Sequence, residues 1–88
     1  MRTRVLKVMN RFGLHSRAAA KLVTVCSRFQ STVTLVVNGR RANGRQLIAL
    51  IMLSASMGAQ VYIEVQGPDE VKALDAVTRL ITDGFGEA

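Results

Sequence analysis

Asn38-Gly39 constrains this chain more than any other pair of residues. A two-residue hairpin turn needs positive φ at both central positions, and Asn followed by Gly is the pair that adopts it most readily. Before it, Thr32 to Val37 is rich in β-branched residues, with Val33, Leu35 and Val37 alternating onto one face. After it, Arg40-Arg41-Ala42 reads as a short return strand. An isolated hairpin is marginal in water, so its apolar face must be covered by further strands and by helices.

The remaining chain supplies both. Val5-Leu6-Lys7-Val8 reads as a strand with Leu6 and Val8 on one face. Asn10 to His15 breaks the pattern, with Gly13 marking a turn. Ser16 is a favoured N-cap, and Arg17 to Arg28 then reads as a helix with Ala19, Leu22, Val23 and Cys26 at helical spacing. Gln46 to Leu53 is predicted as a second, shorter helix, apolar nearly all round, and Ser54 to Ala59 as a loop hinged at Gly58. Val61, Ile63 and Val65 alternate with polar neighbours as a fourth strand. Gly67-Pro68-Asp69-Glu70 opens a last helix, whose stripe is Ala73, Leu74, Val77, Leu80 and Ile81 and which Asp83-Gly84 closes. The order β-α-β-β-α-β-α points to an α+β fold: one antiparallel sheet with helices packed on one face.

Composition narrows the function classes. The 88 residues have room for one domain, and a large enzyme cleft is not expected in a core this thin. One Cys excludes an internal disulfide, and one His with one Cys excludes a Cys/His zinc site. No cofactor is implied. No apolar run approaches the roughly 20 residues of a membrane helix, and a reducing, cytoplasmic setting is expected. The net charge of +6 admits nucleic acid, an acidic protein or a phosphorylated ligand as partner. Aromatics at 5% without Trp weigh against a base-stacking RNA module. Cys26 lies on an apolar stripe and is read as a buried small hydrophobe.

The stretch that carries chemistry is Gly13-Leu14-His15-Ser16-Arg17-Ala18-Ala19-Ala20. The only His precedes the start of a helix, where unpaired N–H groups and the positive end of the dipole favour an anion. An anionic group on the ring would gain about 0.3–1 kcal/mol from that field. Arg17 adds a planar fork suited to phosphate oxygens. The residues alone leave two readings open, a site that carries a phosphoryl group on His15 and a loop histidine that merely adjoins a helix cap.

The motif at 13–20 resembles the active-site motif of the HPr-type phosphocarrier proteins of the bacterial phosphotransferase system. The resemblance covers nearly the whole chain, including the Asn38-Gly39 hairpin, the apolar second helix and Gly67-Pro68-Asp69-Glu70. Leu47 to Leu53 and Gly84-Phe85 look closer to the nitrogen-related branch, NPr, than to sugar-transport HPr. The resemblance implies a single HPr-like phosphocarrier domain over residues 1–88. Its fold would be an open-faced β-sandwich, a four-stranded antiparallel sheet covered on one face by three helices. It further implies a relay and not an enzyme with turnover. His15 would accept a phosphoryl group on Nδ1 from phosphoenolpyruvate-charged Enzyme I and donate it to an EIIA-type acceptor. Arg17 would stabilise the phosphate, and Ser16 and Ala18 would present helix N–H groups to it.

Three departures from the family pattern stand out. Ala18 occupies a position usually held by Pro, which presets φ but lacks an N–H. Gln46 stands where many relatives have a regulatory Ser, which removes phosphorylation there, and Asn43 or Gly44 is expected to start that helix turn instead. The charge is unusually basic. The second helix is apolar on more faces than a sheet contact requires. With Leu50 and Leu53 facing the core, Leu47, Ile48 and Ile51 are expected to form a docking patch for Enzyme I and the acceptor, ringed by Arg17 and Arg45. A monomer without membrane insertion is expected. The rival readings are a regulatory module that uses His15 phosphorylation as a signal and, more remotely, a basic RNA-binding domain.

Overall fold

The computed structural model describes residues 1–87. Seven elements follow in the expected order: β1 (Arg2–Lys7), α1 (Ser16–Cys26), β2 (Thr32–Val37), β3 (Arg40–Asn43), α2 (Leu47–Met52), β4 (Gln60–Gln66) and α3 (Glu70–Thr82). A single 3-10 turn, Gly84–Gly86, follows α3. The strands form one antiparallel sheet in the order β1-β4-β2-β3. Asn38 and Gly39 have φ of 51° and 78°, as the predicted hairpin turn requires, and Leu35 pairs with Ala42 across it.

β4 lies inside the sheet because it can satisfy ladders on both sides. Ile63 faces Arg4 of β1 and Leu35 of β2. Val61, Ile63 and Val65 are buried, as are Val33, Leu35 and Val37, so the two central strands present one continuous apolar face. The helices cover that face. α1 contributes Ala18, Ala19, Leu22 and Cys26, and its small residues allow close approach; α3 contributes Ala73, Leu74, Val77 and Ile81. Leu50 from α2 and Phe85 from the 3-10 turn complete the core. Each fully buried Leu, Ile or Phe contributes about 1.5–3 kcal/mol. The opposite face of the sheet is open, and Val5, paired with Tyr62, is exposed there.

Several element ends differ from the sequence reading. β1 runs from Arg2 to Lys7, not from Val5 to Val8, and β4 reaches one residue beyond Val61 and Val65 at each end. α1 runs from Ser16 to Cys26, two residues short of Arg28, because local bonds close it: the Ser27 hydroxyl donates to the Val23 carbonyl, and the Arg45 guanidinium donates to the carbonyls of Cys26 and Phe29. α2 spans Leu47–Met52, because Leu53 is its C-cap and Ser54 has a left-handed φ of 54°. Its N-cap, Gln46, makes no side-chain cap bond; the turn before it is held by Asn43, whose Oδ1 accepts from the Arg45 N–H at 2.8 Å. β3 extends to Asn43, which pairs with Thr34.

Asp69 is the N-cap of α3, yet its carboxylate makes no bond to its own helix. It accepts instead from the Ser31 hydroxyl at 2.5 Å and from the N–H groups of Ser31 and Gln30 at 2.9 and 3.0 Å. These bonds tie the start of α3 to the chain entering β2.

Candidate functional site

The site begins where β1 ends. The Val8 N–H donates to the Ala59 carbonyl at 2.9 Å, and the Leu14 N–H donates to the Ala55 carbonyl at 2.8 Å, so the α2–β4 loop fixes both ends of the Met9–Gly13 segment. Between these points buried Asn10 donates through Nδ2 to the Gly13 carbonyl at 2.7 Å. Gly13 has φ of +66°, and a Cβ there would stand 2.2 Å from the Ala55 carbonyl oxygen, so no other residue fits this crossing. Buried Leu14 then anchors the chain as it enters α1.

These constraints deliver His15, not Ser16, to the N-cap of α1. His15 has the extended backbone of a cap, and its Nδ1 accepts from the Arg17 N–H at 3.2 Å. Ser16 is the first helical residue. The expected Ser cap is displaced because the Gly13-Leu14 crossing sets the register in which the helix begins, and an imidazole nitrogen reaches the N–H that a hydroxyl would otherwise take.

The other ring nitrogen, Nε2, lies 2.5 Å from Oε2 of Glu87. Oε1 of the same carboxylate accepts from Asn10 Nδ2 at 3.0 Å. A nitrogen that accepts an N–H bond must keep its lone pair, so in the neutral ring the proton sits on Nε2 and is donated to Glu87. The Asn10 bond holds the Glu87 carboxyl below the usual carboxylate range, with His15 and Lys21 acting in the same direction and partial burial opposing them. The Lys21 ammonium donates to the Phe85 carbonyl at 2.6 Å, and Phe85 is buried, so the segment bearing Glu87 is pinned at two points.

Phe12 meets the imidazole edge to face, with ring centroids 6.0 Å apart. Phe12, His15, Ser16 and Arg17 line a shallow open recess. No acidic side chain stands in the first turn of α1, so the helix end meets an anion with N–H groups and its positive dipole, while the nearby Glu87 carboxylate lies on the Nε2 side of the ring. Among the predicted site residues, His15, Ser16 and Arg17 come together here. Ala18 follows in the same turn but is fully buried and does not line the recess.

The predicted docking residues divide. Leu47 and Ile48 are exposed, Ile48 by 69%, while Ile51 is half-buried against the core. Leu50 and Leu53 face inward as expected. Arg45 does not ring the His15 recess. Its side chain lies over the C-terminal carbonyls of α1, at the opposite end of that helix from His15. Sequence reasoning passed over Phe12 at the recess, Asn10, Lys21 and Glu87 in the bonds that hold the Glu87 segment against the His15 ring, and exposed Met52 on α2. Glu87 stands 72 positions from its partner His15, beyond any local periodicity. The one usable signal was a large apolar residue, Phe85, between two glycines.

Comparison with known proteins agrees with this geometry. The family model described as PTS HPr component phosphorylation site matches residues 2–83. The phosphocarrier protein HPr of Cupriavidus necator is 41% identical over 80 residues, spanning 91% of this chain and 90% of that one. The phosphocarrier protein NPr of Proteus mirabilis is also 41% identical, over 85 residues, with 96% and 94% coverage. Identity therefore does not separate the two branches. A crystal structure of HPr from Thermoanaerobacter tengcongensis superposes with a TM-score of 0.95 at 31% identity, covering 100% of this chain and 99% of that one. HPr proteins are phosphocarriers, phosphoryl relays without catalytic turnover of their own. By its sequence, its strand order and its histidine at the head of the first helix, the chain belongs to the HPr phosphocarrier family of the phosphotransferase system.

Proposed function

We propose that residues 1–88 act as one phosphocarrier domain in which His15 accepts a phosphoryl group on Nδ1 from Enzyme I and passes it to an EIIA-type acceptor. The observation that carries this reading is the pair of bonds on the ring, Nδ1 to the Arg17 N–H and Nε2 to Glu87. Nδ1 keeps the lone pair, and it lies at the positive end of α1. In the transfer Nδ1 attacks phosphorus, the Nδ1–P bond forms and the donor's bond to phosphorus breaks. No proton need leave the ring, because the only ring proton is on Nε2. The lone pair that capped α1 is consumed, and a phosphoryl oxygen takes its place as acceptor for the Arg17 N–H. The N–H groups of Ser16 and Ala18 and the exposed Arg17 guanidinium share the added charge. Exposed Leu47 and Ile48, with the outer edge of Ile51, supply the apolar contact for the protein partners.

No helix among the described residues is long and apolar enough to cross a membrane. Incubation with phosphoenolpyruvate and Enzyme I should add about 80 Da to the chain. The label should survive alkali and be lost in mild acid, as a phosphoramidate is. His15→Ala should abolish it. Labelling of the His15→Ala protein would overturn the reading.

A further inference from the structure

We infer that Glu87 is the positioning residue of the relay: by holding the ring proton on Nε2, it reserves Nδ1 for phosphorus and keeps the phosphorylated ring ready to give the group up. This rests on the reading of His15 as the phosphoryl acceptor and adds a role for a residue at the other end of the sequence.

Three observations carry it. First, the bonds on the ring are exclusive. A carboxylate only accepts, so it pairs with Nε2 when that nitrogen bears the proton and repels it when it bears the lone pair. The 2.5 Å contact therefore selects the tautomer in which Nδ1 is free of its proton. Second, the carboxylate is itself aimed. Asn10 donates to its Oε1, and the same Asn10 amide donates to the Gly13 carbonyl in the crossing that places His15. One buried side chain thus fixes both the imidazole and the carboxylate that orients it. Third, the segment is held. Lys21 binds the Phe85 carbonyl, and Phe85 fills the core with a left-handed φ of 58° that turns the following residues back toward His15. A surface glutamate with no role would need none of these ties.

The consequence for the chemistry follows from the leaving group. When Nδ1 carries the phosphoryl group and Nε2 keeps its proton, breaking the Nδ1–P bond returns a neutral imidazole. Without that proton the ring would depart as an imidazolate, a far poorer leaving group. Electrons and protons balance either way. The N–P electron pair returns to Nδ1, phosphorus goes to the acceptor nucleophile, and the Nε2 proton stays where the Glu87 carboxylate holds it. Glu87 stands on the Nε2 side of the ring, so its charge does not occupy the path of the phosphoryl group. The backbone N–H of Arg17 stands on the Nδ1 side.

The test uses Glu87→Ala and Glu87→Gln in the full chain. Long-range 1H–15N spectra of the unphosphorylated protein, recorded where the imidazole is neutral, report its tautomer directly. The parent should show the Nε2–H form alone. Glu87→Ala, which leaves only the longer 3.2 Å bond from the Arg17 N–H to favour Nε2–H, should show a measurable share of the Nδ1–H form, and Glu87→Gln, whose amide oxygen can still accept, should restore the Nε2–H form in large part. Phosphoryl transfer from the loaded carrier to an EIIA-type domain should slow roughly ten-fold in Glu87→Ala, as for loss of an orienting partner elsewhere. Circular dichroism should show both variants folded. An unchanged tautomer in Glu87→Ala overturns the inference, and a mixed tautomer with an unchanged transfer rate overturns its chemical half. Because the tautomer is read without phosphorylation, a parent protein that takes no label at His15 would refute the proposed function while the spectra still judge the role of Glu87.

Discussion

The ammonium of Lys21 in α1 reaches the carbonyl of Phe85 at 2.6 Å and so joins the helix capped by His15 to the segment that carries Glu87. Lys21→Met keeps the aliphatic stem and removes the donor. The loss should cost about 1 kcal/mol in urea unfolding. Exchange of the Gly86 amide, which donates to the Asp83 carbonyl at 3.1 Å, should quicken as the segment loosens.

Gly13 and Gly39 both have positive φ, but only Gly13 is crowded. Gly39 has open space where a Cβ would go, whereas at Gly13 it would meet backbone. Gly39→Ala should therefore cost only about 1–2 kcal/mol, from the left-handed conformation alone. Gly13→Ala should cost more than that, because about 1–3 kcal/mol of backbone strain is joined by a displaced crossing. Chemical denaturation gives the comparison, and the His15 ring signals should shift only in the Gly13 variant.

Ser31 and Asp69 report on acid stability. Three hydrogen bonds to the Asp69 carboxylate, led by the Ser31 hydroxyl, hold its carboxyl below its ordinary value of 3.8. A lowered folded-state value means that the ionised form is favoured in the native protein. The stabilisation is complete above the unfolded value and is lost as pH falls through the lower native one. Stability should thus decline below about pH 4, and Asp69→Asn should flatten that part of the profile. Ser31→Ala, which removes a buried partner, should cost about 1–3 kcal/mol at neutral pH. Thermal unfolding from pH 2 to 7 would show both effects.

On α2, adjacent positions should separate docking from packing. Ile48→Glu alters an exposed side chain, so stability should change by no more than about 0.5 kcal/mol, while transfer from Enzyme I weakens. Leu50→Ala empties a fully buried site and should cost about 2–5 kcal/mol. An unfolded Ile48→Glu protein would show that this side chain serves the core.

Burial has already decided the fate of the one thiol. Desolvation pushes Cys26 up to about 11, against a smaller opposing effect of Arg45. The native protein should resist iodoacetamide at pH 8 and react fully once unfolded, which mass spectrometry would show.

The sheet was legible because its signals are local. Asn38-Gly39 dictates a turn, and Val61, Ile63 and Val65 alternate with a period that only a strand buries. His15 was legible as a residue beside a helix start, but its role as the cap was not. Cap preferences favour Ser over His, and the choice was made by the Gly13–Ala55 crossing, a contact between distant segments. Arg45 misled for the same reason. Sequence gives the position of a guanidinium but not the carbonyls it finds, here at the end of α1. Glu87 was invisible because the contact that matters is tertiary and the residues around it carry no repeat.

The strand order β1-β4-β2-β3 also dictates a timetable. β2 and β3 are joined by two residues and can pair as soon as both exist, with little loop entropy to overcome. β1 is made first but cannot be placed until β4 is complete, since Lys7 pairs with Gln60 and Arg2 with Val65. During synthesis the first strand therefore waits, unpaired, while most of the chain is added. Its Arg2, Arg4 and Lys7 supply charge that discourages pairing with a neighbouring chain over that interval.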